Sequence, residues 1–188
     1  MKLLSIALIS LSLQLNAQEK TITYEKAKQI LESQSTPNIY DITENDKEYA
    51  LIKNGQPGDL LIIRNHIYKI LKLKTVTSYN VGYIFLDSKK LAKQEIERLS
   101  SLILKKLEEG HSFKELSLQY TMDRNKTAFE TMFLHGEMVP EFEDAVKNHA
   151  PGEVFTIDMP SRSWFHIVKK NEADKTLNAF TVHAAYSE

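Results

Sequence analysis

Cysteine does not occur in this chain of 188 residues. Its absence excludes disulfides, thiolate chemistry and membrane attachment through a lipid-modified cysteine. Glycine is scarce, with six residues, and no two of them build a phosphate-cradling loop. Charge of one sign is lacking too. Lys and Arg number 24 against 25 Asp and Glu, a formal net charge of -1, which offers no basic field to nucleic acid or an anionic membrane. His66, His111, His135, His149 and His183 show no metal-ligand spacing, so no metal and no cofactor is expected. No Ser-His-Asp elbow is present either.

What is present is globular: 42% hydrophobic and 26% charged residues, at a length that suits one domain plus an appendage. Met1-Lys2, the apolar stretch from Leu3 to Leu15, and Asn16-Ala17-Gln18 read as a secretory signal peptide cleaved after Ala17. The stretch is shorter than the roughly 20 apolar residues of a spanning helix. An exported protein, periplasmic or secreted, with no stable span after cleavage is therefore expected.

Thr23 is placed to cap a helix over Tyr24 to Ser33 with Ala27, Ile30 and Leu31 on its apolar face. Tyr49 to Ile52, Asp59 to Arg64 and Ile67 to Leu73 are β-prone, giving a small α+β appendage over residues 18–78. Tyr79 to Leu86 reads as a buried strand, with Asp87 or Ser88 as cap for the helix that follows. Ala92, Ile96, Leu99, Ile103 and Leu107 form one stripe of that long helix, which stops at Gly110. Lysines and glutamates between them read as a solvated face. Ser112 to Glu115 is a capping box opening a shorter helix with Phe113, Leu116 and Tyr120 inward. A loop is expected from Thr121 to Gly136, then a short helix with Pro140 in its first turn, ending near Asn148. Val154 to Asp158 and Trp164 to Lys169 read as a closing hairpin.

The run Gly136-Glu137-Met138-Val139-Pro140-Glu141-Phe142-Glu143, then Pro151-Gly152-Glu153 and Phe165-His166-Ile167-Val168-Lys169, resembles the closing half of a parvulin-type peptidyl-prolyl isomerase domain. The resemblance covers about Tyr79 to Asn171. It implies an α+β fold in which helices surround a four-stranded antiparallel sheet over residues 79–171, with residues 172–188 as a tail or an extra strand. It also implies a site. Met138, Phe142 and Phe133 would bind the proline ring; Asp123, His166 and Tyr83 would polarise its amide, Asp123 usefully so if burial raised its pKa.

Two departures from the family pattern bear on chemistry. Tyr83, in Tyr83-Ile84-Phe85-Leu86, stands where the family has its first histidine. Thr127-Ala128-Phe129-Glu130-Thr131 stands in place of a glycine-rich loop, with Glu130 where a pocket leucine is usual. A tyrosine hydroxyl both donates and accepts, but carries no positive charge. The resemblance implies a cofactor-free isomerase acting on proline-containing segments of unfolded or exported proteins. The departures leave open a catalytically impaired, peptide-binding chaperone or envelope-assembly module. A weak echo also appears: Pro57-Gly58-Asp59-Leu60 before His66-Ile67-Tyr68-Lys69 matches Pro151-Gly152-Glu153-Val154 before His166-Ile167-Val168-Lys169. Either a remnant of a tandem isomerase unit or two hairpins with common turn chemistry would produce it.

Overall fold

A computed structural model describes residues 22–125 and 127–187; the expected signal peptide lies outside the described residues. The element order is α1 (Tyr24–Glu32), β1 (Asn38–Thr43), α2 (Tyr49–Ile52), β2 (Leu60–Ile63), β3 (His66–Asp87), α3 (Lys93–Glu108), α4 (Phe113–Tyr120), β4 (Thr131–Leu134), α5 (Pro140–Lys147), β5 (Val154–Met159), β6 (Trp164–Lys170) and β7 (Lys175–Tyr186). No helix among the described residues is long and apolar enough to cross a membrane.

The spine of the molecule is β3, 22 residues long. It runs unbroken through position 78, joining two β-prone runs that the sequence presents as separate. Along one edge it pairs antiparallel with β6 from Val81 to Asp87 and with β7 from His66 to Ser78. Along the other edge lie β2 and β4. The outer strands are β5 beside β6 and β1 beside β7. Two antiparallel four-stranded sheets therefore share β3 end to end. The order β4-β3-β6-β5 is the sheet expected of residues 79–171, and β1-β7-β3-β2 is its counterpart at the other end.

The strand from Lys175 to Tyr186 settles the role of the tail: it completes the first sheet. The hairpins behind the sequence echo also close alike. Gly58 N donates to Ile70 O at 2.8 Å and Ile70 N to Asp59 O at 2.9 Å; Gly152 N donates to Lys170 O at 2.7 Å and Lys170 N to Glu153 O at 3.0 Å. Both glycines have φ near +90°, +101° and +88°, a conformation open to residues without Cβ.

Helices cover both faces. On one, α1 packs over Ile67 and Ala185, and α3 with α4 over Ile84, Leu86 and Ile167. On the other, α2 meets Tyr68 and Ile70, and α5 meets Tyr79 and Val81. A bulge between Ile70 and Lys72 shifts the register. It lets even-numbered residues before it and odd-numbered residues after it point to the face of α2 and α5.

Three expectations at the element level are corrected. Tyr49–Ile52 is one turn of helix, which brings Ile52 into the core against Ile70. The cap of α3 is Ala92, and it makes no side-chain cap. Asp87 instead accepts from Lys89 N at 2.9 Å in the preceding turn. The expected loop from Thr121 to Gly136 contains β4; Asn38–Thr43, for which the sequence pattern predicts no element, is a strand. Both are short edge strands, held by pairing to β3 and β7 rather than by pattern.

Candidate active site

Position 83 lies in the last third of the shared strand, where the side chain points to the α5 face. The backbone of β3 there is fully engaged at its β4 edge. Ser117 Oγ donates to Tyr83 O at 2.9 Å, and Thr121 Oγ1 accepts from Phe85 N at 3.1 Å. Ala128 O accepts from Tyr83 N at 2.7 Å and Met122 N donates to Phe85 O at 2.8 Å. The segment between α4 and β4 is thus laced onto β3, and it delivers Asp123 to the hydroxyl of Tyr83.

Antiparallel pairing sets Phe85 opposite His166, and Met159 opposite Trp164. Helix α5, opened by Pro140 at its first position, brings Phe142 over these strands, and the turn before it carries Met138 and Val139. Together they enclose a cavity of about 430 Å³. Its walls are Met138, Val139, Phe142, Phe85, Met159 and Trp164; its polar groups come from Tyr83, Asp123, Glu137 and His166. Aromatic edges crowd the histidine: its ring centroid lies 5.5 Å from Phe142, 5.2 Å from Phe85, 5.9 Å from Tyr83 and 6.3 Å from Trp164.

The electrostatics follow from this packing. Burial disfavours the imidazolium, and His166 is pushed down to about 4, with Asp123 opposing the shift. It is therefore neutral at physiological pH, and its buried Nδ1 makes no hydrogen bond among the described residues. Tyr83 is pushed up to about 12, first by burial and then by the bond from its OH to Asp123 Oδ2 at 2.6 Å. Burial alone would raise Asp123. The Tyr83 hydroxyl, backbone N–H groups of Asn125 and Arg124, and the nearby His166 outweigh it and hold the carboxyl below its ordinary value. The condition under which Asp123 would serve as an acid, a pKa raised by burial, is not met: Asp123 is an ionised acceptor, because its lone pairs are satisfied.

Of the six residues singled out from sequence, five line the cavity: Tyr83, Asp123, Met138, Phe142 and His166. Phe133 does not. The register of β4 opposite Tyr79 turns its ring inward, 5.0 Å from Tyr79 and 5.9 Å from Phe142, where it backs the pocket wall. Phe85 and Trp164 were missed, though each sits two residues along a strand from a named residue, and period-two alternation would have found them. Met159 had no such signal; only the hairpin register places it opposite Trp164. Glu130 does not line the cavity. Among the described residues no cluster of His, Asp and Glu is arranged to hold a metal.

A crystal structure of a PpiC-type peptidyl-prolyl cis-trans isomerase domain is similar at 19% identity, covering 53% of this chain and 92% of that one with a TM-score of 0.47. No curated protein matches the chain. The family model for the PPIC-type PPIASE domain matches residues 65–174, more than half of the chain, from the first residues of β3 to the end of the β6 hairpin. The chain belongs to the PPIC-type, or parvulin-type, peptidyl-prolyl isomerase domain family.

Proposed function

We propose that the protein is an exported peptidyl-prolyl cis-trans isomerase that assists the folding of other exported proteins by acting on their proline-containing segments. The observation that carries this reading is one apolar cavity, walled by Met138, Phe142, Met159 and Trp164, with a neutral histidine and a tyrosine–carboxylate pair at its rim. Rotation about an X–Pro bond crosses a barrier of about 18–20 kcal/mol set by amide resonance. Removing the amide from water and offering hydrogen bonds to its twisted form both weaken that resonance. The proline ring enters between Met138 and Phe142. His166, neutral and with a free buried nitrogen, is the group best suited to bond the twisting amide, and the Tyr83–Asp123 pair fixes the polar side of the site.

A second reading, a peptide-binding module that does not twist its ligand, is favoured by one observation. Asp123 is ionised and engaged by Tyr83, so it has no proton to give. The test is the cis-to-trans rate of a panel of X–Pro tetrapeptides with the chain from Gln18 onward. Acceleration is expected, and Met138→Ala combined with Phe142→Ala should lower it about a hundredfold or more, since each wall side chain contributes about 2 kcal/mol of burial. No acceleration, with peptide-induced shifts still seen at Met138 and Phe142, selects the second reading. Undiminished turnover in the double variant sinks the pocket assignment.

A further inference from the structure

Helix α5 carries a carboxylate that faces away from the solvent and away from the cavity. Glu143 is 3% exposed, and a charged group is almost never so buried without partners. Here it has three. Its Oε1 accepts from Gly136 N at 2.7 Å and from Met138 N at 3.1 Å, and its Oε2 is 2.8 Å from Nδ1 of His135. Burial would raise the carboxyl, and these donors together outweigh it and hold it below its usual value. All three belong to the turn between β4 and α5, where Gly136 has φ +93°. No side-chain cap is made at Val139, the cap residue of α5. Glu137 closes the start of the turn, its Oε2 accepting from Leu134 N at 2.7 Å, and Glu143 reaches back from within the helix to hold the part that carries Gly136 and Met138. The far end of the same helix is pinned as well: buried Lys170 Nζ donates to Val146 O at 3.0 Å and pairs with Asp174 at 2.8 Å.

We propose that Glu143 is the positioning residue of the proline pocket: its carboxylate sets the turn that holds Met138 over the cavity, and it never touches the substrate. Met138 is 36% exposed, so packing alone does not fix its place; two hydrogen bonds to its turn do. The proposal rests on the isomerase reading for its consequence, but the grip on the turn stands independently of it.

The experiment compares the wild type, Glu143→Ala, Glu143→Gln and a control, Ile42→Ala, which weakens the core at the opposite end of the sheet. In Glu143→Ala the amide protons of Gly136 and Met138 should shift upfield and exchange faster, and the Met138 methyl signal should move. The KM for X–Pro tetrapeptides, measured well below the melting temperature, should rise about tenfold, as expected for a misplaced contact group. Glu143→Gln keeps an oxygen for the two backbone donors and should recover most of that loss. Ile42→Ala should lower the melting temperature with KM unchanged. Wild-type KM and unmoved Met138 signals in Glu143→Ala overturn the proposal. If the wild type itself neither turns over nor binds peptide, the isomerase reading fails, and the amide and methyl signals alone decide the role of Glu143.

Discussion

Tyr83 shows how one side chain sets the charge in a site. A histidine there would supply an imidazole that can carry charge; the tyrosine supplies a hydroxyl that donates to Asp123 and keeps it ionised. His166 is left as the neutral member, and its burial has a measurable consequence. Between pH 6.5 and pH 4 the unfolded chain binds a proton at this position that the folded chain refuses. Stability is thus present above pH 6.5 and falls as the pH drops through this window, by roughly 3 kcal/mol at pH 4. Urea unfolding of the wild type and His166→Gln at both pH values should show this much more acid loss in the wild type; equal losses would mean the ring is hydrated. Asp123, Met138, Phe142 and His166 were legible because they sit in motif positions. The ionisation of Asp123 was not, because it arises from donors at Tyr83 and Asn125 that only folding brings together.

Elements were readable where their period was long enough to leave a pattern. The stripe of α3 from Ile96 to Leu107 and the capping box of α4 appear as expected, whereas Ala92 is the exposed cap residue of α3 and no part of its buried face; Ser112 Oγ accepts from Glu115 N at 3.2 Å and Ser112 N donates to Glu115 at 3.2 Å. Of the two four-residue strands, β2 was readable from its unbroken run of Leu and Ile, while β4, Thr131–Leu134, has no such run and escaped notice. A close approach was also invisible: a Cβ on Gly82 would sit 2.7 Å from Phe129 O and 2.9 Å from the Phe113 ring. Gly82 is thus what allows α4 and the Asp123 segment to lie against β3. Gly82→Ala should destabilise the protein by about 1–3 kcal/mol, read from the chemical denaturation midpoint, and should disturb the Tyr83–Asp123 bond. An unchanged midpoint would show that Phe113 and the 127–129 backbone give way freely.

At the scale of the whole molecule, two four-stranded sheets share one strand, and they match strand for strand once β7 is counted ahead of β1: the chain's end returns to complete its beginning. The resemblance between the halves stops at the sheet. Counting back from Pro57-Gly58 as Met138 and Phe142 are counted back from Pro151-Gly152 leads to Glu44 and Glu48, which build no apolar wall. The first half therefore repeats the scaffold without the pocket. Its integrity depends on β7, which buries Leu177, Phe180 and Val182. Removing residues 175–188 takes away about 6 kcal/mol of burial from these three side chains alone, a large part of a domain's stability. Hydrogen exchange should then show protection lost over β1 and residues 66–77 and retained over residues 79–87 and β6. Retained protection throughout would mean that β2 and α1 suffice to hold the first half.

The sequence by itself determined the family, the α+β class, most helices and five of the pocket residues. Periodicity, caps and a spaced motif are local properties, and they survive without knowledge of the fold. Tertiary structure decided the rest: that β3 is one strand rather than two, that β7 closes the first sheet, that Phe133 backs the wall, and that Met159 and Trp164 complete it. Each of these depends on which strand lies beside which and in what register, and a shift of one residue turns every side chain to the other face. Register is set by contacts between residues far apart in the chain, so no local reading contains it.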